Sequence, residues 1–119
     1  MRVLENEHTI MFDCDDTLVL WGNDHTKPGK NKVKLIEPYC GSKVYLTPHK
    51  KHINLLKTHK ARGYSIVVWS AAGYQWAKEV IIVLGLEKYV DLIMSKPNKY
   101  CDDLQANEIL GSRVYLKPD

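Results

Sequence analysis

The sequence predicts an α/β fold: a single domain built on a parallel sheet with helices on both faces. Short apolar runs typical of strands alternate along the chain with segments whose apolar residues have helical spacing. Two of these apolar runs end abruptly in polar side chains, the first at Asp13 and the second at Ser70. Binding sites in parallel sheets lie beyond the carboxyl ends of the strands, so the sequence predicts a site at that edge.

The first strand carries the most informative pattern in the chain. Ile10, Met11 and Phe12 are followed within a few positions by Asp13, Asp15, Asp16 and then Thr17. Carboxylates crowded in this way repel one another unless a positive charge lies among them. Hard oxygen ligands favour Mg²⁺, so the pattern predicts a magnesium-dependent catalytic site. The structural alternative is an acidic turn that follows an edge strand.

The segment 19–46 differs from the rest because it is rich in glycine, proline and lysine. Two extended pieces, 33–37 and 43–46, flank the turn 38–42 and predict a hairpin. Its lysines are Lys27, Lys30, Lys32 and Lys34.

The remaining elements follow in alternation. Thr47 and Pro48 predict the start of a helix, with Ile53 and Leu56 on its apolar face and Gly63 as its stop. The sequence then predicts a strand over 64–69, a helix over 74–84, a strand over 90–94, a short helix over 104–110 and an edge strand over 114–116.

Composition limits the class of protein. The chain has 119 residues, a net charge of +3 and three cysteines, with no CxxC spacing. It has no apolar run of membrane-spanning length and no signal-peptide stretch, so we expect one domain over 1–119, no membrane, and a reducing, cytoplasmic setting. Cys14 and Cys101 are expected to be small packing residues. A zinc site with His25 or His49 is the alternative.

Basic residues concentrate in segment 19–46 and in the helix that begins near His49. They indicate either a solvated face or attraction of a polyanion such as nucleic acid. Trp21 or Tyr39 could stack on a base there. His49 and His52 have a spacing that could suit a metal, but we expect them at the surface.

Four short motifs together resemble the haloacid dehalogenase (HAD) superfamily, in its small capless phosphatase-type members. The first is Asp13-Cys14-Asp15-Asp16-Thr17 after a strand, and the second is a strand that closes on Ser70. Lys96 before Pro97 is similar to the third, and Asp102-Asp103 to the fourth. The resemblance implies a HAD-like, Rossmannoid three-layer fold. Segment 19–46 would be the flap, and there is no room for a cap domain.

The resemblance also implies a mechanism. Asp13 would be the nucleophile that forms an aspartyl-phosphate, and Asp15 the general acid and base. The phosphate-binding residues would be Thr17, Ser70 and Lys96. Ser70 and Lys96 would bind the phosphoryl oxygens, and Thr17 would brace the loop that carries Asp13. Mg²⁺ would be held by the Asp13 carboxylate, the Asp15 carbonyl and Asp102, with Asp103 orienting its water. An acid at position 15 favours a phosphatase over a dehalogenase or an ion pump.

One departure from the family pattern concerns spacing. Only five residues separate Lys96 from Asp102, whereas most relatives place a helix between the two motifs. A crossover between parallel strands normally needs a dozen residues or more. Either the strand before Asp102 is very short, or the lysine lies on a loop that leads into it. Lys99 is therefore the alternative third-motif lysine.

Several functions stay open at this stage. A receiver domain has a similar length and acidic cluster, but it needs an aspartate after a middle strand, and none lies between Asp24 and Asp91. A catalytically silent HAD-like binding module is a second alternative. For a phosphatase, we expect a nucleotide or nucleic-acid terminal phosphate as substrate, with a phosphoprotein or another small molecule as alternatives. The sequence does not define the oligomeric state.

Overall fold

A computed structural model of the chain describes residues 1–118 and has an α/β architecture with two small sheets. The strands are β1 Thr9–Phe12, β2 Val19–Leu20, β3 Val33–Ile36, β4 Lys43–Pro48, β5 Ser65–Ser70 and β6 Leu92–Ser95. The helices are α1 Lys50–Ala61, α2 Tyr74–Val83 and α3 Ala106–Ile109, with a 3₁₀ turn at Glu87–Tyr89. The predicted strands and helices between residues 64 and 95 are thereby confirmed to within a few residues.

The central sheet is parallel and has the order β1-β5-β6. Thr9 pairs with Ser65 at one end of the first ladder, and Ser70 pairs with Ser95 at the far end of the second. The carboxyl ends of the three strands therefore meet at one edge, which carries Asp13 directly after β1, Ser70 as the last residue of β5 and Lys96 directly after β6. Strand β1 lies at the side of the sheet, with β5 as its neighbour.

Both long helices pack on the same face of this sheet, which corrects the expectation of helices on both faces. Ile66 and Val68 point to this face and join one buried cluster with Leu56 of α1 and Ile81 of α2. Successive crossovers from β1 to β5 to β6 move in one direction across the sheet. Because such crossovers are right-handed, both helices are placed on one side.

Helix α1 begins later than the sequence predicts. Thr47 and Pro48 are the last residues of β4, and His49 is the N-cap, with its ring accepting a hydrogen bond from the backbone N–H of His52. The proline completes an antiparallel ladder here instead of opening a helix. The predicted stop is confirmed: Gly63 follows the helix with a φ of +88°, a conformation that glycine adopts without strain.

The flap forms an antiparallel sheet in the order β2-β4-β3. Strands β3 and β4 make the predicted hairpin, with Val33 opposite Leu46 and Ile36 opposite Lys43. The hairpin is fixed to the main domain by the Glu79 side chain of α2, which accepts a hydrogen bond from the Ile36 N–H at 2.7 Å.

The segment after β6 is the part that sequence reasoning predicts least well. Helix α3 is confirmed as a short helix, but residues 114–116 form no strand, and neither does the pair Tyr100-Cys101 before Asp102. Leu116 instead hydrogen-bonds to the rings of His49 and His52. A side-chain anchor, not a strand ladder, holds the end of the described chain.

Candidate active site

The loop after β1 is folded tightly by its own backbone. The Cys14 carbonyl accepts hydrogen bonds from the N–H groups of Thr17, Leu18 and Val19, at 2.9 to 3.2 Å. Asp16 adopts a φ of +58°, a left-handed conformation that aspartate tolerates better than most residues. This turn reverses the chain and directs Asp13, Asp15 and Thr17 toward one cavity.

Asp13 lies between a cation and a hydroxyl. Its Oδ1 is 3.4 Å from the Lys96 ammonium, and its Oδ2 accepts a hydrogen bond of 3.4 Å from the Thr17 hydroxyl. The Asp13 side chain is 31 % exposed, so it is accessible from the cavity. A carboxyl group that is positioned by a cation and a hydroxyl, and is open to a ligand, is suited to nucleophilic attack.

Asp15 is held by two tryptophans. Its Oδ1 accepts hydrogen bonds from the indole N–H of Trp21 and from that of Trp76, each at 2.9 Å. Trp21 follows β2 in the flap, and Trp76 is a buried residue of α2. No local pattern predicts this arrangement, because the Trp76 contact joins residues 61 positions apart.

Ser70 lies at the end of β5, as the sequence predicts, but it is buried, with 1 % of its surface exposed. Its hydroxyl oxygen accepts a hydrogen bond from the Ala72 N–H at 3.0 Å, and its carbonyl accepts one from the Lys96 N–H at 2.9 Å. Ser70 therefore shapes the loop that follows β5 and ties it to the backbone of Lys96.

Of the two candidate lysines, the structure brings Lys96 to the site. Its ammonium lies beside Asp13 and 5.9 Å from the centre of the Trp69 ring, and Lys96 lines the cavity. Lys99 lies on the exposed segment after Pro97 and is not part of the cavity wall.

The predicted acid pair is not gathered with the other site residues. Asp102 and Asp103 are exposed, do not line the cavity, and belong to a turn in which the Asp102 carboxylate accepts the Leu104 N–H at 3.0 Å. That hydrogen bond lowers the pKa of Asp102. The short spacing after Lys96 explains the difference, since five residues form a loop here and no strand beside β1.

The acids that the resemblance assigns to a magnesium site fall into two groups in the structure. Asp13 and Asp15 supply hard oxygen atoms to one cavity, which fits such an ion chemically. Within residues 1–118, however, no three side chains of His, Cys, Asp or Glu come together as a metal-binding group. Asp13 and Asp15 are therefore positioned to contact an ion in the cavity, whereas Asp102 and Asp103 lie outside it.

The cavity is a groove of about 1020 Å³ that runs from the acidic loop along the open side of β1. Its polar end contains Asp13, Asp15, Thr17 and Lys96, and the residues 110–115 form its far wall. The groove is large enough for a substrate much bigger than a phosphate group.

The two cysteines of the acidic motifs differ in their exposure. Cys14 is fully buried, as expected of a packing residue, and this burial raises the pKa of its thiol so that it stays protonated. Cys101, by contrast, is exposed, which corrects its expected role as a packing residue.

His49 and His52 are buried at 1 % exposure, which corrects their expected surface position. The His52 Nδ1–H donates to the Thr17 carbonyl at 2.7 Å and so braces the acidic loop.

Comparison with known proteins gives no match: no protein-family profile, curated protein or solved structure is significantly similar to this chain. Between residues 1 and 118, no helix has both the length and the apolar character needed to cross a membrane.

Proposed function

We propose that the protein is a magnesium-dependent phosphomonoester hydrolase of the HAD type, which acts through an aspartyl-phosphate on Asp13. The observation that carries this proposal is the geometry of Asp13 between the Lys96 ammonium and the Thr17 hydroxyl, 3.4 Å from each. Lys96 and Thr17 are the residue types that the family resemblance requires, and Asp15 lines the same cavity.

In the first step, a carboxylate oxygen of Asp13 attacks phosphorus as the bond to the leaving oxygen breaks. Asp15 donates its proton to that oxygen, so the leaving group departs as an alcohol. In the second step, Asp15 takes a proton from water as the water oxygen attacks phosphorus and releases Asp13. Splitting the reaction in this way lowers the barrier of each part.

Three residues support the phosphoryl group in this proposal. The Lys96 ammonium offsets the negative charge that develops on the phosphoryl oxygens, and Thr17 holds the nucleophile. Ser70 acts mainly through the loop it orders, because its hydroxyl is buried and already bonded to the Ala72 N–H.

The proposed reaction needs a divalent cation, Mg²⁺, because the acidic loop and the substrate are both negatively charged. When bound, a divalent cation reduces the repulsion between the carboxylates and a phosphate dianion. The Asp13 carboxylate and the Asp15 main-chain carbonyl would hold it. Asp102 and Asp103 would contribute only after the segment that carries them moves.

For the substrate, we favour a nucleotide or a nucleic-acid terminal phosphate. Lys27, Lys30 and Lys34 of the flap are at least partly exposed, and the open groove admits a large ligand. A basic surface attracts a polyanion without reading its sequence. A reducing, cytoplasmic setting suits the free thiols and remains part of the same proposal.

The test is hydrolysis of p-nitrophenyl phosphate with Mg²⁺ by the native chain, Asp13→Asn and Asp16→Asn. Asp16 is the matched control, since it is an exposed acid of the same loop. We expect Asp13→Asn to lose at least about 10³-fold in kcat, and Asp16→Asn to stay much closer to the native chain. A phosphorylated Asp13 should be detectable by mass spectrometry after an acid quench. Equal activity of Asp13→Asn and the native chain would refute the proposal.

A further inference from the structure

The two indole hydrogen bonds on Asp15 come from different parts of the molecule. Trp76 is anchored in α2 and only 2 % exposed, whereas Trp21 belongs to the flap. The two indole rings lie 6.2 Å apart, and the His25 ring packs edge-on against Trp21 at 5.1 Å. Asp15 is thus one point where the flap and the main domain meet, in addition to the Glu79–Ile36 hydrogen bond.

Both hydrogen bonds end on the same oxygen of Asp15. Indole N–H groups donate and never accept, so Oδ1 must act as an acceptor in both contacts. Two donors on one oxygen, from two different elements, hold the Asp15 carboxyl group in one orientation.

We propose that Trp21 and Trp76 are positioning residues for Asp15: together they fix the orientation of its carboxyl group between the flap and α2. This inference rests on the proposed phosphatase function. It adds two residues that neither the acidic motif nor the family resemblance assigns to the reaction. The tryptophans act through Asp15 and do not touch the reacting atoms.

The hydrogen bonds can be tested without any activity. The chain has three tryptophans, so its ¹⁵N spectrum contains three indole N–H signals. Asp15→Ala should move the signals of Trp21 and Trp76 and leave that of Trp69 nearly in place. Asp24→Ala is the control, because this exposed flap acid bonds to Thr26 and to no indole. Unchanged Trp21 and Trp76 signals in Asp15→Ala would overturn the inference.

The catalytic consequence is tested with two substrates. A p-nitrophenolate leaves without protonation, whereas an alkoxide needs a proton from Asp15. We expect Trp21→Phe to lower kcat for an alkyl phosphate by about 10-fold, to change its KM little, and to affect p-nitrophenyl phosphate much less. Trp76→Phe should act in the same direction. If this buried substitution prevents folding, Trp21→Phe alone provides the test.

A double-substitution cycle separates positioning from general structural support. In an Asp15→Asn background, Trp21→Phe should cause no further loss with the alkyl phosphate, because its effect passes through Asp15. Equal losses with both substrates, or a full additional loss in the Asp15→Asn background, would overturn the inference. If the native chain hydrolyses no phosphate ester, the proposed function fails, and the indole signals still decide whether the two tryptophans hold Asp15.

Discussion

His49 and His52 stack with their ring centres 3.8 Å apart and their planes within 12° of parallel. The His52 Nδ1–H donates to Thr17, and its Nε2 accepts the Leu116 N–H at 2.8 Å. The His49 Nε2–H donates to the Leu116 carbonyl, and its Nδ1 accepts the His52 N–H. Each ring thus uses one nitrogen as donor and the other as acceptor, an arrangement that for His52 requires the neutral ring.

This arrangement predicts acid sensitivity. Burial is the main cause that lowers the pKa of His52 in the folded protein. The unfolded chain therefore binds the proton more readily, and stability is full above the unfolded pKa of about 6.5 and falls as the pH drops below it. We expect the midpoint of urea unfolding to decrease from pH 8 to pH 5.

Substitution identifies the source of that pH dependence. His52→Asn should destabilise the protein at pH 8 by about 1–3 kcal/mol through its lost hydrogen bonds, and should flatten the slope with pH. His8→Asn is the control, since this exposed ring lies against Tyr64, away from the stacked pair. The assignment to His52 is wrong if the slope survives in His52→Asn.

The next prediction distinguishes the two candidate lysines. Lys96→Ala should lower kcat for an aryl phosphate by about 10²-fold or more, because Asp13 and the phosphoryl group lose their nearby cation. Lys99→Ala should change kcat by less than about 3-fold, since Lys99 does not line the cavity. A larger loss in Lys99→Ala than in Lys96→Ala would reverse the assignment.

Metal dependence separates the loop acids from the acid pair. We expect hydrolysis to require Mg²⁺ and to stop in EDTA, because uncompensated carboxylates repel a phosphate dianion. Asp102→Asn should raise the Mg²⁺ concentration needed for half-maximal rate if the segment after β6 moves toward Asp13 on metal binding. Identical Mg²⁺ titrations for Asp102→Asn and the native chain would leave the loop acids as the metal ligands. Full activity in EDTA would refute the metal requirement itself.

Among the flap lysines, Lys32 has a structural role, whereas Lys27, Lys30 and Lys34 are exposed and could contact a substrate. Lys32 donates to the carbonyls of Asp24 and Lys27, so it holds the loop together. Neutralising Lys27, Lys30 and Lys34 should raise KM for a phosphorylated oligonucleotide severalfold and barely change KM for p-nitrophenyl phosphate. The oligonucleotide effect should shrink as salt is added.

The control for this experiment is Lys88→Gln, in the 3₁₀ turn before β6 and so at the opposite end of the sheet from the site. It changes charge without touching the flap, and its KM values should match those of the native chain. If the triple variant affects both substrates alike, the flap is a solvated loop and the nucleic-acid preference is wrong.

The sequence predicts well those features whose signals are local. Strand β5 and helix α2 follow from apolar runs and helical spacing, and the β3–β4 hairpin follows from its turn residues. The positions of Asp13 and Ser70 follow because parallel strands align their carboxyl ends. Lys96 was placed by the family resemblance, and its contact with Asp13 is a property of the three-dimensional structure.

The features that the sequence did not predict depend on distant partners. The burial of His52 requires Leu116, which lies 64 positions away, and the restraint of Asp15 requires Trp76. Nothing near His52 indicates that a later segment will cover it. The placement of Asp102 depended on a strand that the short spacing after Lys96 does not permit.

The position of β1 has a consequence for how the protein folds. The strand that precedes Asp13 pairs with β5, with Thr9 opposite Ser65. The flap and α1 lie between these two strands in the sequence, so forming this ladder closes a loop that contains both. Contacts between residues so far apart in sequence form slowly, because the chain loses entropy before the contact is made. During refolding, the proposed phosphatase activity should therefore return later than the far-ultraviolet helical signal of α1 and α2.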